Sequence, residues 1–85
     1  MLKRLTMADE KFPRYETAGA ATYHCIETDS GYRVGEKIHG SGVEIPVTKA
    51  EAVLLLGVKK QAFVAEIQLH ISRAKRAGSI HLKRF

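Results

Sequence analysis

From Ala21 to Glu27 the chain alternates, with Tyr23 and Cys25 on one face and Thr22, His24 and Ile26 on the other. That is the period of a strand. Thr28-Asp29-Ser30-Gly31 has turn chemistry: Asp29 can open a type I turn, and Gly31 suits the left-handed position of a three-residue hairpin loop. Tyr32 to His39 then reads as the returning strand. Pairing Thr28 with Tyr32 sets Ile26 opposite Val34 and Thr22 opposite Ile38, which gathers branched side chains on one face. Gly40-Ser41-Gly42 marks a second turn and Val43–Val47 a short third strand, whose Pro46 points to an edge or a strand end.

At Thr48 the period changes. Thr48-Lys49-Ala50-Glu51 is a capping box, in which the threonine hydroxyl takes the Glu51 amide and the glutamate reaches back. The helix it opens runs through Leu56. Its apolar residues, Ala52 to Leu56, go almost all the way round, so most of it is expected to be buried. Gly57 is placed to end it in a left-handed conformation.

Residues 59–77 fit two periods. As a strand, Phe63, Ala65, Ile67, Leu69 and Ile71 alternate with Val64, Glu66, Gln68, His70 and Ser72; as a helix, Phe63, Val64, Ile67, Ile71 and Ala74 form one stripe. Length favours the helix, as do Ala62, Ala65, Glu66, Gln68 and Ala74. Arg73, Lys75 and Arg76 complement the dipole of its last turn, and Gly78 follows as a stop. Ser79–Phe85 reads as a final short strand with Ile80 and Leu82 facing in. The expected fold is therefore α+β: an N-terminal antiparallel hairpin or meander, two helices, and a short C-terminal strand. Residues 1–19 contain Pro13 and show no clear period, so they read as a partly ordered arm ahead of a single domain at 20–85.

With two helices flanking Gly57, the segment Thr48–Ile67 resembles a helix-turn-helix of the excisionase and MerR-like type. The common wording of that family is T-x-x-E-A-A-x-L-L-G-V followed by a polar, basic second helix. Here the words are Thr48-Lys49-Ala50-Glu51-Ala52-Val53-Leu54-Leu55-Leu56-Gly57-Val58, then Lys59-Lys60-Gln61-Ala62-Phe63. Two positions depart from the family: Val53 stands where alanine is usual, and Leu54 where a polar residue is. The resemblance implies that Val58 plugs the angle between the helices and that Leu56, Phe63 and Ile67 lock them to the core. Lys59, Lys60 and Gln61, with Gln68 further along, would then face a major groove. Lysine can donate to guanine O6/N7 and glutamine can pair with adenine, so these types suit that task. An αα corner without a DNA role is the other reading of the same words. A second likeness is one of order alone. The hairpin, Gly31-Tyr32-Arg33-Val34-Gly35-Glu36, and then Val47-Thr48-Lys49-Ala50-Glu51-Ala52 are similar to short accessory proteins of phage and prophage clusters.

Charge sharpens the choice of partner. Residues 1–58 hold seven Lys/Arg against eight acids, whereas residues 59–85 hold seven against Glu66 alone. A basic end favours a polyanion, because each cation on a phosphate releases condensed counterions. Arg73, Lys75, Arg76, Lys83 and Arg84 are the expected phosphate contacts, and duplex DNA the expected partner. The alternative is an acidic protein partner, met by a phage accessory or inhibitory module. At 85 residues the buried fraction is small, which favours a homodimer.

Other chemistries are poorly supported. Cys25 is the single cysteine, which excludes an internal disulfide, and it reads as a buried inert thiol. His24, His39, His70 and His81 lack metal-ligand spacing; only a strand over 62–73 would set His70 opposite His81. No phosphate-cradling glycine motif or catalytic signature occurs, so neither enzyme activity nor a cofactor or metal is expected. Met1–Met7 carries positive charge, but Asp9, Glu10 and Lys11 follow in place of an apolar export segment. With a free thiol, that points to the cytoplasm, and no apolar run is long enough for a membrane span.

Overall fold

The computed structural model describes residues 13–78 in full and the backbone of residues 82–84. The elements in chain order are β1 (Arg14–Ala18), β2 (Ala21–Thr28), β3 (Gly31–Ile38), β4 (Ser41–Val47), α1 (Lys49–Leu56), α2 (Lys60–Arg76) and β5 (Leu82–Arg84). The strands form an antiparallel meander in the order β1-β2-β3-β4-β5, and both helices lie against one of its faces. The α+β class and the order of sheet followed by two helices agree with the sequence reading. Of the stretch expected as a C-terminal strand, Ser79–His81 and Phe85 lie outside the described residues.

Three expectations need correction. The first is the arm: within 1–19, Arg14–Ala18 is a strand of the sheet, so the folded unit starts well before residue 20. Residues 1–12 lie outside the described residues.

The second is the register of the β2–β3 hairpin. Thr28 pairs with Gly31 across the two-residue loop Asp29-Ser30, which sets Cys25 opposite Val34, Ile26 opposite Arg33 and Ala21 opposite Ile38. Because side chains alternate with a period of two, this one-residue slip exchanges the faces of β2 relative to β3. Tyr23 and Cys25 face the core with Val34, while Ile26 and Thr22 face away. The next turn also shifts: it is His39-Gly40, both at positive φ, the combination that matches the twist of a two-residue hairpin.

The third is α1. Ala52, Leu55 and Leu56 are buried, but Val53 is 39% and Leu54 70% exposed. A short helix lying on a flat face covers one side only, and its remaining leucine is left in solvent. The core joins Tyr23, Cys25, Val34, Val43 and Ile45 of the sheet to Ala52, Leu55, Phe63, Ile67 and Ile71 of the helices. Residues 60–76 are helical throughout, which removes the strand alternative; His81 lies outside the described residues.

Candidate nucleic-acid interface

The capping box forms as the spacing required. The Glu51 amide donates to Thr48 Oγ1 at 3.1 Å, and the Thr48 amide donates to Glu51 Oε1 at 2.8 Å. The bond from the Thr48 backbone holds the Glu51 carboxyl below its ordinary pKa.

The other end of α1 is built differently from the expectation. Gly57 has φ −97° and ψ 0°, a right-handed conformation, and its amide donates to the Leu54 carbonyl at 3.1 Å. A left-handed glycine normally brings the following amides back to the last free carbonyls. Here a side chain from β1 does that work. Arg14 Nη1 donates to the carbonyls of Leu55 at 2.7 Å and Val58 at 2.8 Å. The same guanidinium lies over the Phe63 ring, 4.3 Å from its centroid, and pairs with Glu16 at 3.0 Å. Arg14 therefore fixes the connection Gly57-Val58-Lys59 between the helices. Sequence reasoning missed it, having placed it in the arm.

The packing side of the helix pair agrees with the sequence reading: Leu56, Phe63 and Ile67 are buried, and Val58 is packed against the core. Lys59 is the N-cap of α2, with extended backbone and no side-chain cap bond; Lys60 and Gln61 open the helix, and all three are exposed. Arg73, Lys75 and Arg76 are exposed in the last turn, where they fan out. Arg73 borders a groove with Glu51 and His70 on the α1 side, whereas Lys75 borders Glu36 and Gln68 on the other. At 1.5 Å per residue the two basic ends lie roughly 20 Å apart along the axis. Between them the solvent side carries Ala62, Ala65, Glu66 and Leu69. Lys83 and Arg84 belong to β5, beside Gly42 and Ser41, and their side chains lie outside the described residues.

Gln68 is exposed, but its amide is engaged with the sheet. Its Nε2 donates to the Tyr23 hydroxyl at 3.0 Å, and that hydroxyl donates to Glu36 Oε2 at 2.6 Å. Burial first, then the Glu36 carboxylate, raises the Tyr23 pKa above its ordinary value. Gln68 thus ties α2 to the sheet. Cys25 belongs to the core with no exposed surface, and burial pushes its thiol up to about 11.

On the sheet face away from the helices, His24, Gly35 and Glu44 share one row across β2, β3 and β4. His24 Nε2 lies 2.8 Å from Glu44 Oε2, and Arg33 Nε donates to Glu44 Oε1 at 3.2 Å. The side chains of His24 and Glu44 are both buried. They meet over Gly35, where a Cβ would collide with the His24 ring and the Val43 carbonyl. Nothing in the sequence pattern marked this pair, because β2–β3–β4 pairing alone brings it together.

No family model, curated protein or solved structure matches this chain. Among the described residues no helix is long and apolar enough to cross a membrane.

Proposed function

We propose that the protein is a non-enzymatic nucleic-acid-binding protein, a small DNA-binding regulator that meets duplex DNA with the solvent side of α2. One observation carries this reading. Lys59, Lys60, Arg73, Lys75 and Arg76 are all exposed on or beside one helix. Among the described residues none of them lies in an ion pair, and Glu66 is the one acid on that helix. Cations held at both ends of a rigid helix, with no ion pair among the described residues, suit a polyanion.

Two further features support it. The first turn of α2 has no acid and no side-chain cap, so its free amides and the helix dipole add to Lys59 and Lys60. The three-residue connection from α1, half-buried at Val58, leaves that end projecting, as a helix-turn-helix requires. In this reading Lys59, Lys60 and Gln61 reach base edges, and Arg73, Lys75 and Arg76, with Lys83 and Arg84, hold phosphates. Ala62 and Ala65 allow the helix to approach closely. The excisionase and MerR-like resemblance and a bacterial or phage origin belong to the same proposal.

A protein-binding role has its own observation: Leu54 and Val53 stand exposed beside Ala50 and Val58 on α1, an apolar patch with no use in DNA contact. Gel shifts with random-sequence duplex at low and high salt separate the two. Binding at low salt that fades as salt rises is expected; no binding at low salt overturns the DNA reading in favour of a protein partner.

A further inference from the structure

We infer that the exposed face of α1 docks an acidic amphipathic helix of a partner protein. Ala50, Val53 and the C-cap Gly57 stand at i, i+3 and i+7 along α1, and Leu54 flanks them. That is the spacing along which a second helix packs. All four residues are exposed, and Leu54 is the most exposed large hydrophobic side chain among the described residues. With Val58 they line one continuous surface, so this is a patch and not a scattered leucine. Val53 and Leu54 offer side chains for a partner to cover, while Ala50 and Gly57 leave room for its backbone to come close.

Charge selects the occupant. Lys49 is the charged residue on this face, in the first turn of α1, and Lys59 and Lys60 follow directly after its end. Among the described residues none of the three lies in an ion pair. Glu51, the acid of α1, has its carboxylate bonded to Thr48 and borders the groove towards α2 with His70 and Arg73. The apolar stripe is thus bracketed by cations at both ends of a helix about 12 Å long at 1.5 Å per residue. A helix with apolar residues on one side and carboxylates beside them meets the stripe and the cations together. A second copy of this chain would set the same cations against their own kind.

The probe is a fluorescein-labelled peptide of about three heptads with leucine at a and d, glutamate at e and g and alanine elsewhere. Its glutamates keep it from pairing with itself at neutral pH. One control has the same composition with the leucines spread round the helix; the other keeps the pattern with lysine for glutamate. Each is titrated with the full-length protein and followed by fluorescence anisotropy, with backbone amide NMR to locate the contact. The acidic amphipathic peptide should bind saturably with shifts centred on Ala50, Val53, Leu54 and Gly57, and neither control should. Leu54→Ser, at a position 70% exposed and so tolerated by the fold, should weaken it about tenfold or more. Lys49→Gln, also exposed, should weaken it about two- to fivefold, the scale of one exposed ion pair. Leu54 and Lys49 have no part in the DNA reading, so a failed gel shift with duplex leaves this result intact, and the reverse holds. Absence of saturable binding, equal binding of the composition control, or an affinity unchanged by Leu54→Ser would overturn the assignment. So would a parent that is dimeric by sedimentation velocity and made monomeric by Leu54→Ser, which would give the face to a second copy.

Discussion

The guanidinium of Arg14 stacks over the ring of Phe63 at 4.3 Å while bonding the carbonyls that end α1. One residue of the first strand thereby holds the last turn of one helix and the first buried side chain of the next. Whatever the solvent side of α2 binds, its position against the sheet is set from β1.

Replacing Arg14 should cost more than a surface arginine normally does. Arg14→Ala loses two charge-assisted bonds and a cation–π contact and leaves carbonyls unpaired, so a loss of about 2–4 kcal/mol is expected by urea unfolding. Arg14→Lys should recover only part of it, because an ammonium cannot reach two carbonyls and stack on a ring together. A change within 0.5 kcal/mol, the range of ordinary surface substitutions, would show that the connection is held by other contacts.

Gly57 should tolerate a side chain. Its φ is negative, and an added Cβ would meet only the Leu54 carbonyl, at 3.8 Å. Gly57→Ala is expected to raise stability by about 0.4–1 kcal/mol, since it restricts the unfolded chain at no cost to the folded one. A drop in the melting temperature would mean that the left-handed turn suggested by the sequence is the one that forms.

Gly35 should not tolerate one. The Val43 carbonyl cannot move aside as a flexible side chain would, so Gly35→Ala must shift either β4 or the His24 ring. A loss of about 1–3 kcal/mol is expected, the usual range for overpacking, together with displaced His24 ring resonances in the NMR spectrum. Unchanged stability and unchanged His24 signals would remove the close approach.

These cases show which parts of the fold are readable from one sequence. The α1 cap was legible because Thr48 and Glu51 are three residues apart and need only each other. The stripe Phe63, Ile67 and Ile71 was legible because a seventeen-residue element without glycine or proline is long for a strand. The β2–β3 register was not, because Asp29-Ser30-Gly31 accommodates a two- or a three-residue loop and a single step exchanges the faces. Arg14 and Gly57 failed together: the glycine looked like a terminator because the group that satisfies the carbonyls stands 41 residues earlier in the chain. The Gln68 bond was not legible for the same reason, since its partner Tyr23 is brought to it by the packing of α2 on the sheet.

The capping box gives a pH dependence of known sign. The Glu51 carboxyl titrates below its unfolded value, chiefly through the Thr48 amide, so its contribution is present above the ordinary glutamate pKa. That contribution fades as pH falls through the folded value. Glu51→Ala, which removes the carboxylate and keeps the Thr48 amide, should destabilise the protein near neutrality, and the difference from the parent should shrink below about pH 4. A difference that stays constant from pH 7 to acid would exclude the reciprocal bond.

The slope of DNA affinity against salt, followed by fluorescence anisotropy with a random-sequence duplex, tests the proposed interface most directly. Each phosphate contact contributes roughly 0.9 to the slope of log K against log salt. The parent should bind at low salt with a steep negative slope. Arg73→Ala and Arg76→Ala should each reduce that slope by about one on every duplex. Gln61→Ala should leave the slope intact and lose roughly 1–3 kcal/mol only on a selected cognate sequence. If removing the charges of Lys59, Lys60, Arg73, Lys75 and Arg76 together leaves both affinity and slope unchanged, α2 is not the nucleic-acid surface.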